Sequence, residues 1–164
     1  MNKTLYRIAL LTAASTVMAF ILFLQPCISE KKHCTPVVFS DFEVSQHYLI
    51  GQNFIRKGAI PMTLKRAYFV DKTGKPIEYG RLPFEWDIWL AEQGTYGALN
   101  VTSQELSSMN KLELSGRQLA KQAFALVLHI IPKEKNNVPR DYYIKLEYEV
   151  LGVKKHLIRK ALTL

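Results

Sequence analysis

The sequence predicts a mainly β protein, an antiparallel two-sheet sandwich preceded by one N-terminal hydrophobic helix. Three observations carry that prediction. Apolar residues recur with a period of two along most of the chain beyond residue 35, as they do in half-buried strands. Gly- and Pro-containing turns interrupt these runs at intervals of about 8 to 15 residues, the rhythm of a sandwich. The first 24 residues follow another rule, a short basic start and then an uncharged apolar run.

That run, Ile8 to Leu24, is seventeen residues long. A cleavable signal has an apolar core of about 7 to 15 residues and a spanning helix needs about 17 to 25, so the segment sits at the boundary. Its length and the following Lys31 and Lys32 fit an anchor, in which Thr12, Ser15 and Thr16 bond back to helix carbonyls. Pro26 and the small residues Cys27 and Ser29 fit cleavage before Glu30. Either fate carries the rest of the chain out of the cytoplasm, because the positive start stays inside. The expected organisation is a signal anchor or signal peptide over 1–29, a juxtamembrane linker over 30–35 and an extracytoplasmic sandwich over 36–164. The expected location is the cell (inner) membrane, single-pass through residues 8–24, with a periplasmic or secreted form as the alternative.

Cys27 and Cys34, six residues apart, can close a disulfide loop in an oxidising compartment. With His33 they would supply at most three ligands at a spacing unlike usual zinc sites, so no metal centre is expected. Cleavage after Ser29 would leave Cys34 alone.

The elements follow in order. Residues 35–45 alternate Val38, Ser40, Phe42 and Val44 against Val37, Phe39, Asp41 and Glu43, a first strand. Residues 47–56 continue as a second, and after the break at Gly58 to Pro61 residues 62–71 form a third. Asp71 to Pro76 has turn chemistry, and residues 76–80 read as the return arm of a hairpin. In residues 81–94, Phe84, Trp86, Ile88 and Leu90 alternate with Glu85, Asp87 and Trp89, a half-buried strand with two acids on its wet face. Thr102 or Ser103 caps a short helix over 104–109. A brief strand over 111–114 and a turn at Ser115-Gly116 come next. Residues 123–131 form a nearly unbroken apolar run, as in a central strand buried on both faces. Residues 142–150 alternate cleanly, and Leu151-Gly152 then suggests a hairpin into 153–164, although Val153, Leu157, Ala161 and Leu164 would also share a helical face. Eight or nine such strands resemble the immunoglobulin-like or fibronectin-like class, a likeness of architecture that carries no function.

Nothing in the sequence supplies a recognised catalytic motif. The eight glycines are scattered and form no phosphate-binding loop, and no nucleophile elbow is present. Glu85 and Asp87 share one strand face, whereas a glycosidase needs acids facing each other across a cleft. His129 reads as a hydrogen-bonded structural histidine, and His47 and His156 have no partner nearby in sequence. No catalytic residue, cofactor or metal is expected, and no nucleic-acid partner. Charge remains. The chain carries 22 cations and 14 acids, net +8, and only two of those cations lie in residues 1–29. The last fourteen residues hold Lys154, Lys155, Arg159 and Lys160 with no acid, a candidate patch for an envelope protein, an anionic lipid or a polyanion. Arg56-Lys57 and Lys65-Arg66 form a second cluster. The expected role is a non-enzymatic accessory or assembly subunit of an envelope complex. The alternatives are a soluble binding protein for an acidic ligand or effector protein and, third, a small carbohydrate-active hydrolase using Glu85 and Asp87.

Overall fold

The computed structural model describes residues 7, 11–17, 27–30, 37–38, 42–58, 60–91, 98–119, 123–134 and 140–163. In chain order the elements are β1 (Cys27–Glu30), β2 (Val37–Val38), β3 (His47–Lys57), β4 (Met62–Val70), β5 (Phe84–Ala91), β6 (Ala98–Val101), α1 (Ser103–Ser108), β7 (Gln118–Leu119), β8 (Ala123–Pro132), β9 (Asp141–Val150) and β10 (Val153–Thr163). They form two five-stranded sheets. Sheet A runs β1-β3-β8-β5, with β6 on the β1 edge of β3; sheet B runs β2-β10-β9-β4-β7. Every pairing is antiparallel except β2 beside β10.

The period of two decides what lies between the sheets. Tyr142, Ile144, Leu146, Tyr148 and Val150 of β9 are buried while their neighbours are partly exposed. They meet Ile50 and Phe54 of β3, Phe84 of β5, and Leu126, Leu128 and Ile130 of β8 in one core. Phe69 packs edge-on against both Phe84 and Trp86, with centroids 5.3 Å apart. A buried amide also enters this core. Gln52 of β3 is 5% exposed and its Nε2 donates to the Ala161 carbonyl at 3.1 Å. The β9–β10 register slips between Lys160 and Leu162, so the bulge turns an Ala161 carbonyl toward the opposite sheet.

β8 is buried on both faces because sheet A has a second cover. Leu49, Trp89 and Val127 lie on its outer face under Val101, Leu106 and Met109 of the β6–α1 segment. Thr102 caps α1 with a full capping box to Glu105. The expected wet face of β5 is therefore wet only at Glu85 and Asp87; Trp89 is buried.

Several expectations need correction. The strand expected over 35–45 is reduced, among the described residues, to Val37–Val38, because Ser45 adopts φ 66° and turns the chain into β3. The return arm over 76–80 makes only the bridge Val70–Pro76 and the bond from Ile77 N–H to the Phe69 carbonyl. Residues 111–114 make a single bridge, Leu90–Leu112. The hairpin strand favoured for 153–164 over a helical reading is borne out as Val153–Thr163.

β1 was not anticipated. Residues 27–30, assigned from sequence to the leader and linker, pair with the end of β3 and bury Ile28 in the main core. Residues 7 and 11–17 are helical, and residues 8–10 and 18–24 lie outside the described residues. Among the described residues no helix is long and apolar enough to cross a membrane.

Candidate functional site

The four cations singled out at the chain's end do not make one patch. Lys154 pairs in register with Glu149 and Lys160 with Tyr143, on the outer face of sheet B. Lys155 and Arg159 pair with the buried Tyr148 and Ile144, on the core-facing row. Lys154 and Lys160 are also about 20 Å apart along the strand. Lys160 is bound to Asp141 at 2.7 Å.

What the fold gathers instead is a basic end. β3 finishes in sheet A at Arg56-Lys57 and β4 starts in sheet B at Met62. Thr63 and Lys154 both pair with Glu149, so the start of β10 lies at this same end. Arg117 joins it, its carbonyl accepting from Leu64 N–H at 2.9 Å. Of the C-terminal cations, Lys154 and Lys155 thus lie at the same end as Arg56-Lys57 and Lys65-Arg66, and Lys160 does not.

The middle of this outer face is neutralised. Arg66 Nε donates to Glu147 at 2.7 Å, Tyr68 Oη donates to the same carboxylate at 2.7 Å, and Lys145 lies 3.5 Å away. The bond from Arg66 holds Glu147 down to about 2, against partial burial and with help from Tyr68. Lys65 is bound to Glu149 at 3.1 Å. Among the described residues Lys154 and Lys155 have no ion pair. With Lys65, Arg66, Glu147, Glu149, Tyr148 and His156 they line an open groove of about 530 Å³. Such a groove offers cationic donors to an anionic partner.

A second polar group lies at the other end, on the outer face of sheet A. His47 opens β3, and its Nδ1 is 2.9 Å from Nε2 of His129 on β8; its Nε2 is 3.2 Å from Ser103 Oγ. The imidazoles are parallel within 1°. With nitrogens 2.9 Å apart they meet edge to edge through one shared proton rather than stacking face to face. Burial, then the charges of His47 and Lys111, lower His129 to about 4, with Asp87 opposing. It therefore stays neutral at pH 7.

This relay corrects the expectation that His47 lacks a partner. When His47 Nδ1–H donates to His129, its Nε2 accepts from Ser103, the order of groups in a base-activated hydroxyl. Acyl transfer also needs oxyanion donors and a cleft. The relay adjoins the packed Leu49, Trp89 and Val127 cluster and pins α1 to sheet A. The contact spans 82 residues of chain, beyond the reach of any local motif. The one sequence signal was a histidine inside an apolar run.

The acids of the hydrolase reading have other partners. Glu85 lies 3.6 Å from Lys133, and Asp87 Oδ1 accepts from Ile88 N–H at 2.9 Å. Trp86 points into the core against Phe69 and is no sugar platform. Cys27 is exposed and free at the start of β1; Cys34 and His33 lie outside the described residues. Among the described residues no three His, Cys, Asp or Glu side chains form a metal-binding group. The chain matches no known protein family, no curated protein and no solved structure.

Proposed function

We propose that this chain is an immunoglobulin-like module tethered outside the cytoplasmic membrane by its apolar N-terminal segment, acting by binding as an accessory or assembly subunit of an envelope complex. The observation that carries the tether is β1. Cleavage after Ser29 would remove three of its four residues, Ile28 of the core among them. A chain whose leader runs directly into the first strand gains from keeping that leader.

The strand order supports the immunoglobulin-like type. β1-β3-β8-β5 follows the A-B-E-D order, and β10-β9-β4 follows G-F-C, with β2 as a short first-strand continuation beside the last strand. The inter-sheet disulfide of antibody domains has no counterpart in β3 and β9, which lack cysteine. A binding role is supported by the basic end, whose unpaired Lys154 and Lys155 suit an acidic protein surface or anionic headgroups.

The test is the intact mass of the chain recovered from carbonate-washed membranes, followed by purification in mild detergent. Retention of residues 1–29 and co-purification of an envelope protein are expected. A mature chain starting at Glu30 in the soluble fraction would replace the tether by the soluble binding-protein reading.

A further inference from the structure

We propose that the β9–β10 turn docks on the anionic surface of the membrane, Leu151 and Val153 entering the headgroup layer while Lys154, Lys155 and Lys57 meet lipid phosphates. This rests on the tethered reading and names the face that meets the bilayer.

The turn is built against the preferences of an ordinary hairpin. Leu151 has φ 49° and Gly152 φ 79°, the two left-handed positions of a type I′ turn, where Asn-Gly is favoured and a leucine is strained. The fold recovers nothing from that side chain, which is 78% exposed, and Val153 is 58% exposed. An exposed apolar tip followed at once by two unpaired lysines has the composition of an interfacial anchor, with apolar groups for the acyl boundary and cations for the phosphates.

The leader brings this tip to the bilayer. β1 starts at Cys27, opposite Lys57 at the last position of β3, and the Ile28 backbone hydrogen-bonds Tyr148, two residues before β9 ends. The chain therefore enters the sandwich at the end that carries the turn. Leu24 closes the apolar run, and three residue steps reach Cys27, at most about 10 Å of extended chain. That is comparable to the headgroup layer on one side of a bilayer. A run embedded to Leu24 leaves the basic end no room to stand off from the lipid.

The experiment uses the full chain reconstituted into vesicles of phosphatidylcholine, with or without about a quarter phosphatidylglycerol, and quenching of tryptophan by lipids brominated on their chains. Leu151→Trp reports the turn. Tyr79→Trp, 71% exposed just before β5 starts at the opposite end, is the control. Native Trp89 is buried and Trp86 packs on the core, so their background is small. The expected result is quenching of Leu151→Trp well above the control in anionic vesicles. Lys154→Glu/Lys155→Glu should weaken the turn's association by roughly 10-fold or more. Equal quenching with and without phosphatidylglycerol would overturn the anionic part of the proposal. Quenching no greater than the control in a chain that resists carbonate extraction would overturn docking and leave the tether standing. Anionic-dependent quenching in a chain that carbonate extracts would keep docking and defeat the tether.

Discussion

His129 shows how one side chain's surroundings set a property of the whole chain. It is 8% exposed, beside Trp89 and within the field of Lys111, and stays neutral down to about pH 4. Its unfolded value is 6.5. Between those two values the unfolded chain binds a proton that the folded chain refuses, so stability is greatest above pH 6.5 and declines as pH falls toward 4. The full shift at about 1.4 kcal/mol per unit sets a ceiling near 3 kcal/mol, and solvent at the rim of the site brings the expected loss to about 1–3 kcal/mol. Urea denaturation at pH 7.5 and 4.5 measures it, with His129→Gln expected to lose most of the pH difference in this window. Glu147, held near 2, contributes its stability above its unfolded value of 4.5 and loses it only below, as pH falls through about 2. Gln52 gives the second expectation at this scale. Gln52→Leu keeps the volume but strips the Ala161 carbonyl of its buried donor, so a loss of about 1–3 kcal/mol is expected. An unchanged denaturation midpoint would mean that the carbonyl has another partner.

Elements differ in how far their own residues determine them. The six long strands β3, β4, β5, β8, β9 and β10 carry their alternation or apolar run in their own sequence, and each appears where the pattern puts it. β1, β6 and β7 have two to four residues and pair only along the ends of longer neighbours, so their own residues hold too little periodicity to announce them. The reverse failure is residues 35–45, where a readable alternation yields, among the described residues, two paired ones, and Ser45 redirects the chain. The candidate sites split the same way. Lys65 and Arg66 were legible as charge, but Glu149 and Glu147, which neutralise them, lie on another strand, and the Ser103–His47–His129 pin joins three elements distant in sequence. Within one element, the β9–β10 turn makes a clear expectation. Leu151→Asn suits the left-handed conformation and should raise stability by about 0.5–1 kcal/mol, seen as a higher unfolding midpoint. The same change removes the apolar tip, so turn stability and membrane docking should move in opposite directions. In α1, Thr102→Ala breaks the capping box and is expected to cost about 1 kcal/mol, read out as faster hydrogen exchange in residues 103–108.

At the scale of the molecule, charge and chain entry are arranged along one axis. The start of β1, the β9–β10 turn and the cations Arg56, Lys57, Lys65, Lys154 and Lys155 share one end, while the histidine pin and the α1 cover lie toward the other. This arrangement makes the leader boundary a matter of folding as well as location, and two shortened chains separate the two roles. A chain starting at Cys27 keeps all ten strands; one starting at Glu30 loses most of β1. Burying Ile28, 6% exposed, is worth about 2 kcal/mol, and the lost pairing with Ile55, Arg56 and Lys57 adds to it. The chain starting at Glu30 is therefore expected to be less stable by about 2–4 kcal/mol, a fall in melting temperature on the order of 10 °C for a domain of this size. Ile28→Ala in the chain starting at Cys27 should reproduce roughly half to all of that loss, since the deletion acts largely through this side chain. Equal melting temperatures for the two shortened chains would show that β1 contributes nothing to the sandwich, and the physical argument against cleavage after Ser29 would fall with it.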